Sequence, residues 1–171
     1  NVDKQYEKLI TRFKTSKQSY DDQHTWLVNT LNDPKYLERL NLENDGNRSY
    51  SVQELNRRKE AVKGDYDLID GDSFVLEEDS SVVSGLYSHK DKKVTLATEP
   101  SRKNVAVHEF EHKITEGNLS MSPKTIRLYM KAFTDANLTE AEKAADEKEA
   151  GYFSNPTELD ARKKELEYDM D

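Results

Sequence analysis

Residues 108 to 112 read His-Glu-Phe-Glu-His, and no other feature constrains the chain as much. On an α-helix, positions i and i+4 lie on one face, one turn apart. Two imidazoles so placed converge and can hold a single Zn²⁺ at about 2.0–2.1 Å. Glu109 is rotated round the helix from His108, so it stands beside such an ion rather than on it. A carboxylate there can take a proton from a water whose pKa the metal lowers towards ~7, and can later return it to a leaving amine. At ordinary residue frequencies the pattern arises by chance in well under ~1% of chains of this length. Val105 and Val107 precede it, so the helix is expected to be buried.

A catalytic zinc needs a third protein ligand and one open position. The chain has no cysteine, which excludes thiolate ligands and disulfides. His24 and His89 both precede the motif and read as surface or turn histidines. An acidic third ligand is therefore indicated. The segment Asn155-Pro-Thr-Glu-Leu-Asp-Ala-Arg162 opens a helix, with Asn as cap and Pro in the first turn. Glu158 is the first candidate ligand and Asp160 the second. A carboxylate at Glu158 also serves as an ordinary N-terminal cap, and both roles stay open here. Ala161, three residues after Glu158, is small enough to let this helix lie close to the histidine helix.

The surrounding pattern is helical, then extended, then helical. Tyr6, Leu9, Ile10 and Phe13 recur at helical spacing; Trp26, Leu27 and Leu31 form a second apolar patch. Pro34 breaks the pattern, and Tyr36, Leu37 and Leu40 resume it. Ser51 to Glu54 has the form of a capping box. Asp70-Gly71-Asp72 marks a turn. Ser81–Leu86 and Lys92–Ala97 hold β-prone runs separated by the polar tip His89-Lys90-Asp91, which predicts two neighbouring strands. A helix is expected from Pro100-Ser101 through the motif, ending at Gly117-Asn118. Further helix starts are read at Ser122-Pro123, with Ile126, Tyr129, Met130 and Phe133 as its apolar face, and at Thr139 to Glu142.

Charge narrows the partners. The formal net charge is −8, which disfavours nucleic acid and anionic membranes, although Arg57, Arg58 and Lys59 cluster. No apolar run approaches the ~20 residues of a membrane span. No signal peptide is read at Asn1. An intracellular (cytoplasmic) or phage-virion setting is expected.

Several residues together resemble a known family. Gly85-Leu86-Tyr87, Lys93-Val94-Thr95-Leu96, Val107-His-Glu-Phe-Glu-His112 and Pro156-Thr-Glu-Leu-Asp-Ala-Arg162 resemble zincin metallopeptidases with a Glu third ligand. In detail they are similar to the small ImmA/IrrE-type zincins and to zincin-like domains of phages and mobile elements. The resemblance covers roughly residues 75 to 171. It implies an α+β, zincin-like minimal metallopeptidase fold: a small β-sheet, the HExxH helix and an N-terminal helical extension. Residues 1–63 would form that extension and residues 64–171 the metallopeptidase domain. It also implies zinc on His108, His112 and Glu158, with Glu109 as catalytic base. The strand Lys93, Val94, Thr95, Leu96, Ala97 would be an edge strand to which a peptide or protein substrate adds by backbone pairing. Tyr129 and Tyr152 are candidate oxyanion donors.

Two residues depart from the family pattern. Glu111 puts a charge inside the motif, where Lys113 or Lys131 is its expected partner. Arg162 stands where an Asp or Asn often orients a ligand histidine. The functions to be weighed are zinc-dependent peptide-bond hydrolysis, a regulatory protease cutting one partner, and a virion or cargo protein whose N-terminal helices engage an assembly partner.

Overall fold

The computed structural model describes residues 1–43, 50–118 and 156–171, together with Leu128. Its elements are α1 (Val2–Asn32), α2 (Tyr36–Glu43), α3 (Val52–Ala61), β1 (Tyr66–Ile69), β2 (Phe74–Val75), β3 (Val82–Val83), β4 (Gly85–Ser88), β5 (Lys93–Ala97), α4 (Val105–Thr115) and α5 (Pro156–Met170). This mixture of helices and small sheets agrees with the α+β expectation. The helix starts read at Ser122 and Thr139, and the residues Tyr129, Lys131 and Tyr152, lie outside the described residues. Among the described residues no helix is long and apolar enough to cross a membrane.

The two apolar patches near the N-terminus belong to one helix of 31 residues. The Asn1 side chain caps it, accepting from the Asp3 and Lys4 amides at 2.8 and 3.2 Å. Tyr20, Gln23, Leu27 and Leu31 recur on its inward face and are buried. Asp33 is already extended, with ψ 127°, as the residue before a proline must tend to be. Helix α3 begins as the capping box predicts, Ser51 Oγ accepting from Glu54 N at 3.1 Å. The Glu54 carboxylate does not complete the box. It accepts from Arg57 Nε and Nη2 and from Arg58 Nε instead.

The three-stranded sheet has the order β1-β5-β4, and β2 pairs with β3 in a separate hairpin. Strand β5 runs parallel to β1, from Tyr66↔Val94 to Ile69↔Ala97. It runs antiparallel to β4, from Gly85↔Leu96 to Ser88↔Lys93. Lys93–Ala97 is therefore the central strand, which corrects the expectation that it is an edge. Both of its backbone sides are occupied, so no peptide can add to it. The edge strand beside the histidine helix is β4.

Helix α4 lies against this sheet. It starts at Val105, later than Pro100-Ser101 suggested, and the loop between holds Asn104 at φ 57°. Asparagine tolerates this left-handed conformation better than most residues. Val105, Val107, Phe110 and Ile114 of α4 pack with Val94 and Leu96 of β5, and also with Tyr20, Leu27 and Leu31 of α1. Tyr20 Oη donates to Ala97 O at 2.6 Å, and Gln23 Oε1 accepts from Val107 N at 3.1 Å. The boundary expected at residues 63 and 64 thus does not divide two cores. The N-terminal helices complete the core around α4 and hold it in place.

Candidate metal centre

The α4 backbone sets the histidines one turn apart, and their Nε2 atoms lie 3.2 Å from each other. Pro156 opens α5 and places Glu158 in its first turn, directed at the same point. Glu158 Oε2 is 3.0 Å from His108 Nε2, and Glu158 Oε1 is 3.1 Å from His112 Nε2. Donors held at 2.0–2.1 Å around one tetrahedral ion stand about 3.3 Å apart. The three side chains are thus spaced as the ligands of a single small cation. Glu158 Oε2 is buried and has no hydrogen-bond partner, although His108 Nε2 is close by. The donor set of two imidazoles and a carboxylate fits a divalent transition metal.

Asp160 is not part of this convergence. It is buried behind the site, hydrogen-bonded to Glu111. Burial first, and the Asp160 charge second, push the Glu111 carboxyl well up, against the pull of Lys164 and Arg58. The charge inside the motif therefore faces Asp160, Lys164 and Arg58 on the far side of the helix. Its expected partner Lys113 instead donates to Lys63 O at 3.1 Å.

Glu165 was not foreseen. It lies two turns after Glu158 on α5, and its Oε2 is 3.3 Å from His108 Nδ1. A carboxylate there accepts the Nδ1 proton and leaves Nε2 bare for a metal. The i, i+7 spacing of Glu158 and Glu165 was the available signal. The carboxylate at His108 Nδ1 thus comes from Glu165, while Arg162 stands where the family pattern has an Asp or Asn. Burial disfavours a charged His108 ring, but Glu158 and Glu165 outweigh it and raise its pKa to about 9. The same contacts, from His108 and His112, hold Glu158 well below the usual carboxylate range against its burial.

Glu109 is 6% exposed, and its carboxylate lies within 4.8 Å of the histidine ligand atoms. Glu158 contacts both rings, at 3.0 and 3.1 Å, and Glu109 stands beside them. Burial raises the Glu109 pKa; His108 and His112 oppose this, Glu158 adds to it, and Arg102 opposes it. Gly85 of β4 passes directly above. A Cβ on Gly85 would meet Glu109 Cγ at 3.0 Å.

The site opens into a cleft of about 990 Å³ between β4, the β2–β3 hairpin and α5. At one end Glu116 gathers Tyr87 Oη, Lys92 Nζ at 2.8 Å and His89 Nδ1 at 3.1 Å. Burial opposes its ionisation, but these donors hold its pKa down to about 2. His89 is thus a cleft residue away from the ligand set, and His24 is a packing histidine against Phe110 and Val62 O.

The C-terminus of α4 is fixed from α3. Arg57 donates to Ile114 O and Thr115 O, and the fully buried Arg58 donates to Asn118 O at 2.6 Å. These bonds satisfy carbonyls that a helix end leaves open. The sequence cluster Arg57-Arg58 is therefore an internal clamp on the histidine helix, not a basic surface.

Comparison of the chain with known protein families, with curated proteins and with solved structures finds no match. The cluster around His108, Glu109 and His112 can hold a metal ion; its chemistry has to be argued from its own geometry.

Proposed function

We propose that this chain is a zinc-dependent peptide hydrolase of zincin type. The observation that carries the reading is the convergence of His108, His112 and Glu158 at 3.0–3.2 Å, with Glu109 beside them. A zinc ion on those three residues would supply a water acidic enough to ionise near neutral pH and a Lewis acid for the scissile carbonyl. Glu109 takes the proton from the attacking water and hands it to the departing amine. Glu165 orients His108, and α5 supplies both Glu158 and Glu165 from one face.

Strand β4 is the surface for the substrate backbone. Its outer edge is unpaired among the described residues and borders the cleft, and an extended peptide can add to it as a further strand. Side chains then alternate between the cleft and solvent, so recognition is of backbone first. The inward face of α1 is consumed by the core, which leaves little of it for an assembly partner.

Zinc stoichiometry tests the reading. The protein should hold one zinc per chain after dialysis, and His108→Ala should lose it while keeping its helical circular dichroism. Zinc retained at full affinity by His108→Ala would refute the site.

A further inference from the structure

We propose that Arg102 selects substrates with a carboxylate on the C-terminal side of the scissile bond. This rests on the peptide-hydrolase reading and adds the substrate class to it. Arg102 lies in the loop between β5 and α4 and lines the cleft together with His108, Glu109 and Glu158. Its charge reaches Glu109. Most other described arginines have a carboxylate partner: Arg12 has Asp70, Arg39 has Asp33, and Arg57 and Arg58 share Glu54. Arg102 forms no ion pair among the described residues. It is a half-buried residue of the cleft lining, and its guanidinium has no hydrogen-bond partner among the described residues.

For a peptide that pairs antiparallel to β4, the direction of the strand sets which part of it Arg102 meets. The start of β4 lies at Glu109, through Gly85, and its end lies at Glu116, through Tyr87. A peptide paired antiparallel to β4 therefore enters, N-terminus first, from the Glu116 end. Its residues after the scissile bond leave past Gly85, on the Arg102 side. A guanidinium there matches a carboxylate by a two-point hydrogen-bonded contact. The ligand group is an Asp or Glu side chain or the peptide's own C-terminal carboxylate. Asp79 and Asp72, which also line the cleft, form no ion pair with Arg102 among the described residues. Asp79 accepts from Ser81 N at 2.9 Å, and Asp72 accepts from Ser73 Oγ at 2.9 Å. At the other end, Lys92 and His89 are occupied by Glu116, so the carboxylate preference should be confined to the C-terminal side.

The test uses zinc-loaded Glu109→Gln protein, which binds without turnover, and a fluorescent library of extended peptides. The library places Glu, Gln or Lys at each position, with free or amidated C-termini. Peptides with an acid at one C-terminal-side position should bind about 10-fold tighter than their amide counterparts, the scale of one charge-assisted contact. Adding Arg102→Ala should erase that difference and leave neutral peptides and zinc content unchanged. Adding Arg102→Glu should turn the preference towards Lys. If the free terminus alone matters, amidation erases the effect and side-chain acids do not restore it. Binding of peptides with no preference for acids, or a preference that survives Arg102→Ala, would overturn the proposal and leave the hydrolase reading standing. No binding of any peptide would remove both.

Discussion

Gly85 lies so close over Glu109 that a single methyl group at Gly85 would press on the Glu109 side chain, with Cγ at 3.0 Å and Oε2 at 3.4 Å. Leu96 closes the third side at 3.3 Å, so the intruding atom has no free direction. The strand that is to receive substrate thus runs close beside the carboxylate that is to move its proton, with no room to spare for a side chain between them. A side chain at this position would force Glu109 or Leu96 to give way by a few tenths of an ångström.

Gly85→Ala should therefore displace Glu109 while leaving the metal ligands alone. Overpacking of this kind costs about 1–3 kcal/mol of stability. Peptide cleavage should fall by about 10-fold or more, since sub-ångström misplacement of a reacting group is costly. Zinc content should not change. The check is cleavage rate and metal content on the same sample; an unaltered rate would show that Glu109 is not confined by β4.

The role of Glu165 predicts a different signature. Glu165→Ala should weaken zinc binding by about 10–100-fold, the usual effect of removing a partner of a ligand histidine. Glu165→Gln keeps an acceptor for the His108 Nδ1 proton and should recover part of the loss. Competition with a fluorescent chelator measures both. Equal affinities in all three proteins would mean that the 3.3 Å contact does not orient the ring.

Acid stability should depend on Glu54. Burial raises its pKa, but hydrogen bonds from Arg57 and Arg58 win and lower it from 4.5 to about 2. A native pKa below the unfolded one means stability that is fully present above about pH 4.5 and is lost as the pH falls through 4.5 towards 2. Glu54→Gln should therefore be less stable at neutral pH, and its deficit relative to the parent should shrink over that interval. Urea unfolding at stepped pH measures the difference. A deficit independent of pH would place the effect in packing instead of charge.

What the sequence disclosed follows the range of the interactions involved. The i, i+4 histidines, the Pro156 helix start with Glu158 in its first turn, the Ser51 cap and the β4–β5 neighbours are all local, and local spacing specifies them. The central position of β5 depends on β1, whose Tyr66–Ile69 segment is short and carries a weak alternation. Nothing near Lys93–Ala97 announces a parallel partner that far back in the chain. The burial of Arg58 and Glu111 is likewise invisible locally. Both look like surface charges, and only the closing of α3, α4 and α5 around one another puts them inside. The single helix α1 hides its unity because its apolar residues are spaced by long polar stretches, and its packing on α4 decides the matter.

The account turns on Glu109 being a proton carrier and not a ligand. The most direct measurement is Glu109→Gln, assayed for zinc and for cleavage of an extended-peptide library in parallel with the parent. The amide is nearly the same shape but takes no proton at neutral pH. The account predicts one zinc per chain in both proteins and a cleavage rate at least ~100-fold lower in the variant, the scale of losing a general base. Cleavage by Glu109→Gln at the parental rate, or loss of its zinc, would contradict it.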